Sequence, residues 1–121
     1  MILVAVDDFL FRSKIRTTGK QAGVELTFPR TPDEVIEQAR ALKPSLVIFD
    51  LNSTKMAPIE TIARIKQDPE LASIRTLGFV SHVDAARIQA ARTAGTDEVL
   101  ARSTFATELA EILLSSGTTA P

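Results

Sequence analysis

Three aspartates are the residues of this chain best suited to chemistry. Asp7 and Asp8 close the run "ILVAVDD", and Asp50 closes "SLVIFD". Short unbroken apolar runs rich in β-branched residues read as strands buried on both faces. A carboxylate at the end of such a strand is held at the rim of a core. Three carboxylates brought to one rim repel, and one would be driven to keep a proton unless a cation joined them. Mg²⁺ suits such a place, because one or two carboxylates hold it while waters and phosphate oxygens complete its shell. Asp50 would then be a nucleophile beside a metal site. Two further polar groups end strands in the same way: Ser81 after "TLGFV" and Arg102 after "EVLA". Asp8 also suits the N-cap of the helix that follows it, and both uses are expected.

The positioning elements follow from the pattern. The run 2–6 is a central strand. A helix is expected to about Gln21, stopped by Gly23. Residues 24–28 alternate, with Val24, Leu26 and Phe28 on one face, as an edge strand with one wet face would. "TPDE" (31–34) opens a second helix, with Thr31 as cap, Pro32 in the first position and Glu34 completing a capping box. Val35, Ile36, Ala39 and Leu42 should line its inner face. A buried strand at 45–49 precedes a helix opened by Pro58, with Ile59, Ile62 and Ala63 inward. A strand at 76–80 is followed by an alanine-rich helix from about Asp84 to Ala94, stopped at Gly95. A strand at 98–101 leads to a last helix capped by Ser103 or Thr104, burying Phe105, Leu109, Ile112 and Leu113. The helix at 84–94 has more alanines than can face a core, so some small apolar surface should remain exposed. Strict strand–helix alternation predicts right-handed crossovers and a parallel sheet covered on both faces. Five strands suit a flavodoxin-like α/β fold, doubly wound, with order 2-1-3-4-5. Its winding reverses between strands one and three, where ligands bind and where Asp7, Asp8 and Asp50 end.

Bulk properties narrow the classes. The chain has 121 residues, no cysteine, and 14 basic against 15 acidic residues. One domain is expected, without thiol catalysis or cysteine-held zinc. The near-neutral charge argues against direct nucleic-acid binding. No apolar run reaches membrane-spanning length, and "MILVAVDD" has neither the basic start nor the cleavage site of a signal peptide. A cytoplasmic protein is expected.

The chain resembles a response-regulator receiver domain. The matching pieces are "VDD", "FDLN", "KQDPELASIRTL", "FVS" and "AGTDEVLAR". The resemblance implies a receiver domain over 1–116 with a disordered tail over 117–121. It implies that Asp50 accepts a phosphoryl group from a histidine kinase or phosphotransfer protein. Mg²⁺ would be held by Asp7, Asp8, Asp50 and the backbone carbonyl of Asn52, and the Ser81 hydroxyl would meet the phosphoryl group. Catalysis would be limited to self-catalysed transfer and dephosphorylation. Output would run to a downstream protein through the fourth helix, fifth strand and fifth helix, a face on which the family also dimerises.

Four residues depart from the family's pattern, one of them Ser103, which stands where a proline usually follows the strand-five lysine. Arg102 replaces its strand-five lysine; a planar fork there would either clamp Asp50 bidentately or grip the phosphoryl group. Val99 stands where an aromatic switch is usual, and His82 where a small residue is common. Arg102, Val99 and His82 keep a second reading in play, a degenerate pseudo-receiver acting as a phosphorylation-independent interaction module. Other classes fit worse. An aspartate-nucleophile phosphatase would want a D-x-D pattern after strand one, and here the pair is adjacent and followed by Phe9. A flavin or dinucleotide carrier would want a glycine-rich first turn, which "VDDFLF" lacks, and the chain has no tryptophan or tyrosine to stack on a flavin.

Overall fold

A computed structural model describes residues 1–81 and 84–117. His82 and residues 118–121 of the expected tail lie outside the described residues. The elements run β1 (Ile2–Ala5), α1 (Phe9–Ala22), β2 (Leu26–Thr27), α2 (Pro32–Leu42), β3 (Leu46–Asp50), α3 (Pro58–Gln67), β4 (Arg75–Val80), α4 (Ala85–Thr93), β5 (Glu98–Ala101) and α5 (Arg102–Gly117). The five strands form one parallel sheet in the order β2-β1-β3-β4-β5. This is the expected flavodoxin-like arrangement. Among the described residues no helix is long and apolar enough to cross a membrane.

Alternate residues of the central strands feed two cores. Leu3, Ala5, Val47 and Phe49 pack with Val35, Ile36, Ala39, Ile62 and Ile65, so α2 and α3 cover that side. Ile2, Val4, Leu46, Ile48, Leu77 and Phe79 pack on the other side with Phe11 and Ile15 of α1 and Phe105, Leu109 and Leu113 of α5. Three rings anchor the second core. Phe79 and Phe105 stack with centroids 4.6 Å apart, and Phe11 meets both edge-on. Such ring pairs add about 1 kcal/mol each beyond the area they bury.

The helix boundaries follow local chemistry. Asp8 caps α1, its Oδ1 accepting from Phe11 N–H at 3.0 Å, and Gly23 ends it at φ 69°. Thr31 Oγ1 accepts from Glu34 N–H at 3.1 Å. The expected reciprocal half of the capping box is absent: Glu34 Oε2 faces the Thr31 hydroxyl at 3.5 Å instead. Leu42, expected inward, is 45% exposed, because it sits in the last turn just before the left-handed Lys43. Edge strand β2 pairs through two residues only, although Val24, Leu26 and Phe28 do face the second core. Ile59 is only partly buried, and so is Ile112. Ser103 and Thr104 do not precede α5. β5 runs into it without an intervening residue, so both lie in its first turn and Arg102 is its first residue.

Candidate functional site

Asp50 is the last residue of β3, and its register partner on β4 is Phe79. Only 8% of it is exposed. The chain turns at once: Leu51 N–H donates to Phe79 O at 3.0 Å and Ser53 N–H to Asp50 O at 3.1 Å. The carboxylate stabilises that turn, because its Oδ1 accepts from Asn52 N–H at 2.9 Å. Leu51 is fully buried against β4 at Gly78. A Cβ on Gly78 would lie 2.7 Å from the Leu51 side chain, so only glycine leaves the turn this close to the sheet.

Burial raises the proton affinity of Asp50 more than any other influence. The Asn52 N–H works against it, Asp7 raises it further, Arg102 lowers it, and Asp8 raises it. The balance leaves the Asp50 pKa above the ordinary carboxylate value. The charges of both Asp7 and Asp8 therefore reach Asp50, as their positions at the end of β1 require.

The three acids are nonetheless less tightly gathered than the sequence suggests. Among the described residues no group of three acidic, histidine or cysteine side chains stands ready to hold a metal ion. Asp7 is exposed. Asp8 spends one oxygen on the α1 cap and turns the other to Arg102 Nη2 at 3.4 Å. The donor chemistry suits a hard cation, but such an ion would keep most of its shell as water.

Arg102 does not make the expected bidentate clamp on Asp50. It pairs with Asp8, and its guanidinium lies 4.5 Å from the centroid of the Phe11 ring. It acts on Asp50 through charge. The reason is positional: as the first residue of α5 it stands above the aromatic cluster, beside the N-terminus of α1.

Ser81 follows β4, and its N–H donates to Asn52 Oδ1 at 2.7 Å. The Asn52 side chain thus ties the β3 and β4 ends together, a use that the expected role of its backbone carbonyl did not include. Arg87 was missed altogether. From α4 its Nη1 donates to Leu51 O at 2.9 Å. No spacing rule signals a hydrogen bond across 36 residues. Val99 packs, half-buried, against the α2–α3 side of the core.

A five-stranded parallel sheet with a buried aspartate at the end of β3, opposite an acidic pair at the end of β1, defines a class of signalling domain. The chain matches the response regulator receiver domain over residues 2–114 and belongs to that family. It is similar to the response regulator protein VraR of Staphylococcus aureus, 28% identical over 112 residues, which covers 92% of this chain and 49% of that protein. The chain spans about half the length of the curated relatives it matches, or less. Among solved structures it resembles the phosphorylated cyanobacterial phytochrome response regulator RcpA, with TM-score 0.77 and 23% identity over 94% of this chain and 88% of that one. It also resembles the Mn²⁺-bound form of response regulator Rcp1, with TM-score 0.72 and 20% identity over 99% and 97%. At these identities the structural likeness shows the fold. The protein is a receiver domain of the two-component response-regulator type.

Proposed function

We propose that Asp50 accepts a phosphoryl group from a histidine kinase or phosphotransfer protein, with Mg²⁺ present, and that the domain signals by protein contact. The observation that carries this is the state of Asp50: a buried carboxylate at a strand end, with its pKa raised and its Oδ1 fixed by one backbone N–H. Fixing the group costs no further ordering when a donor arrives. A carboxylate oxygen of Asp50 attacks phosphorus. The bond from phosphorus to the donor nitrogen breaks, and its electron pair leaves with the imidazole, which takes up a proton. Asp50 becomes an acyl phosphate. Asp50 with Asp7 or Asp8 and the Asn52 carbonyl would hold the cation, which neutralises phosphoryl charge when bound. Ser81 stands at the neighbouring strand end to meet the phosphoryl oxygens. Arg102 would have to leave Asp8 to do the same. The domain is a phosphoacceptor rather than an enzyme with a separate substrate. That a regulator is known phosphorylated (RcpA) and another Mn²⁺-bound (Rcp1) supports this reading.

Output is expected through α4, β5 and α5. Ala85, Ala86 and Ala90 are exposed on α4 while Ala91 alone is fully buried there, leaving a small-residue surface for a partner or a second copy. Titration with Mg²⁺ and a fluoroberyllate mimic, followed by amide shifts, tests the proposal. Shifts at Asp50, Asn52 and Ser81 are expected. No response at millimolar Mg²⁺ would favour the phosphorylation-independent interaction module instead.

A further inference from the structure

The chain as a whole is nearly neutral, but its positive charge is not evenly spread. Helix α1 carries Arg12, Lys14, Arg16 and Lys20 and no acidic residue. Arg12 and Arg16 are one turn apart, where like charges repel. Both lie over the same ring, Phe28, at 5.3 and 4.6 Å from its centroid. Stacking on Phe28 fixes the two guanidinium groups beside each other despite that repulsion. Arg30, just past β2, completes the group. Arg12, Arg16 and Arg30 line a single groove of about 240 Å³ together with Phe9 and Ser13. None of the three arginines forms an ion pair among the described residues. Arg12 Nε is buried and donates to no acceptor among them. At the mouth of the groove Phe9 is 83% exposed.

We propose that this groove between α1 and the segment after β2 binds an oligophosphate, with Arg12, Arg16 and Arg30 gripping its oxygens. Planar guanidinium forks match phosphate oxygens two at a time, and three of them on one concave site suit a ligand with adjacent phosphates. The Ser13 hydroxyl adds a donor. The Phe9 ring offers a face to a base, should the oligophosphate be part of a nucleotide. An acidic protein surface is the rival occupant. It would draw on the whole charged length of α1, including Lys14, which does not line the groove. The site is separate from the Asp50 chemistry and does not depend on it.

Inorganic pyrophosphate, ADP and polyglutamate would each be titrated into the chain in EDTA, so that no metal bridges anions to the aspartates. The arginine Nε–H resonances and calorimetry report binding. Saturable pyrophosphate or ADP binding is expected, weakened about tenfold by Arg16→Gln and by Arg30→Gln. Lys14→Gln removes the same charge outside the groove and should change it by no more than about twofold. ADP binding tighter than pyrophosphate, with the difference erased by Phe9→Ala, identifies a nucleotide; equal binding identifies the bare diphosphate group. Equal losses in all three charge variants, no saturation up to millimolar ligand, or binding of polyglutamate alone would overturn the proposal.

Discussion

Asp50 and Asp97 are carboxylates at opposite ends of the same sheet, and the fold treats them in opposite ways. Asp97 stands just before β5, at the edge where strands begin. Its Oδ2 accepts from Lys66 Nζ at 2.8 Å, from Thr76 N–H at 2.8 Å and from the Thr76 hydroxyl at 3.1 Å. Burial alone would raise its pKa, but these bonds and the Lys66 charge outweigh burial and lower it. Asp50, at the edge where strands end, has one N–H and two neighbouring acids, and its pKa is raised. One carboxylate is satisfied and serves as a staple. The other is held in a strained electrostatic state, as a group awaiting a reaction would be. The same residue type is thus satisfied at one end of the sheet and electrostatically unsettled at the other.

The contrast predicts effects of opposite sign. The largest is expected for Lys66→Met. Lys66 Nζ also donates to Ala72 O and Ile74 O, so its loss strips three acceptors at once. Urea denaturation at pH 7 should show a loss of about 3 kcal/mol. Asp97→Asn should cost less, about 1 kcal/mol, because Asp97 is 42% exposed and solvent screens its pair. The folded pKa of Asp97 is depressed, so its contribution is present above the ordinary carboxylate range. It is lost as the pH falls through the folded value, and the deficit of Asp97→Asn should vanish there.

At the other end, Gly78→Ala pushes a methyl into Leu51 and should cost about 2 kcal/mol, with amide shifts concentrated at Asp50 to Asn52. A mutant with shifts spread evenly over the sheet would break the link between that glycine and the site. Asp50→Asn should act against the usual trend and stabilise the fold at pH 7. Ionised Asp50 costs stability there because its folded pKa is raised. The gain should shrink as the pH falls through that raised value and be gone below the ordinary carboxylate range. A destabilised Asp50→Asn protein would place Asp50 with Asp97 as a structural group. The smallest effect is expected for Arg102→Met. Freeing Asp8 from a half-exposed pair should tighten Mg²⁺ by up to about fivefold, read by titration.

Much of this was legible in the residue order. Five apolar runs separated by helical periods define the sheet, and the reversal of winding locates Asp7, Asp8 and Asp50 at one rim. What the order could not reveal is which partner a long side chain selects. Arg102 has three acidic choices at the same rim, and the ring of Phe11 beneath it draws it toward Asp8. Lys66 and Asp97 are 31 residues apart and meet only because α3 packs beside the start of β5. Arg12, Arg16 and Arg30, none of them ion-paired among the described residues, line one groove that could be seen only once β2 was placed beside α1. Local caps were clearer where one residue decides, as at Asp8 and Gly23, and were misjudged at α5, where a strand enters a helix directly.

The central claim is that Asp50 is the group that reacts. Intact-mass spectra of the wild-type chain and Asp50→Asn, each incubated with a small acyl phosphate donor and Mg²⁺, test it most directly. The wild type should gain one phosphoryl group and the variant none, since an amide cannot form the acyl phosphate. Equal labelling of the two chains would contradict the account and move the acceptor elsewhere.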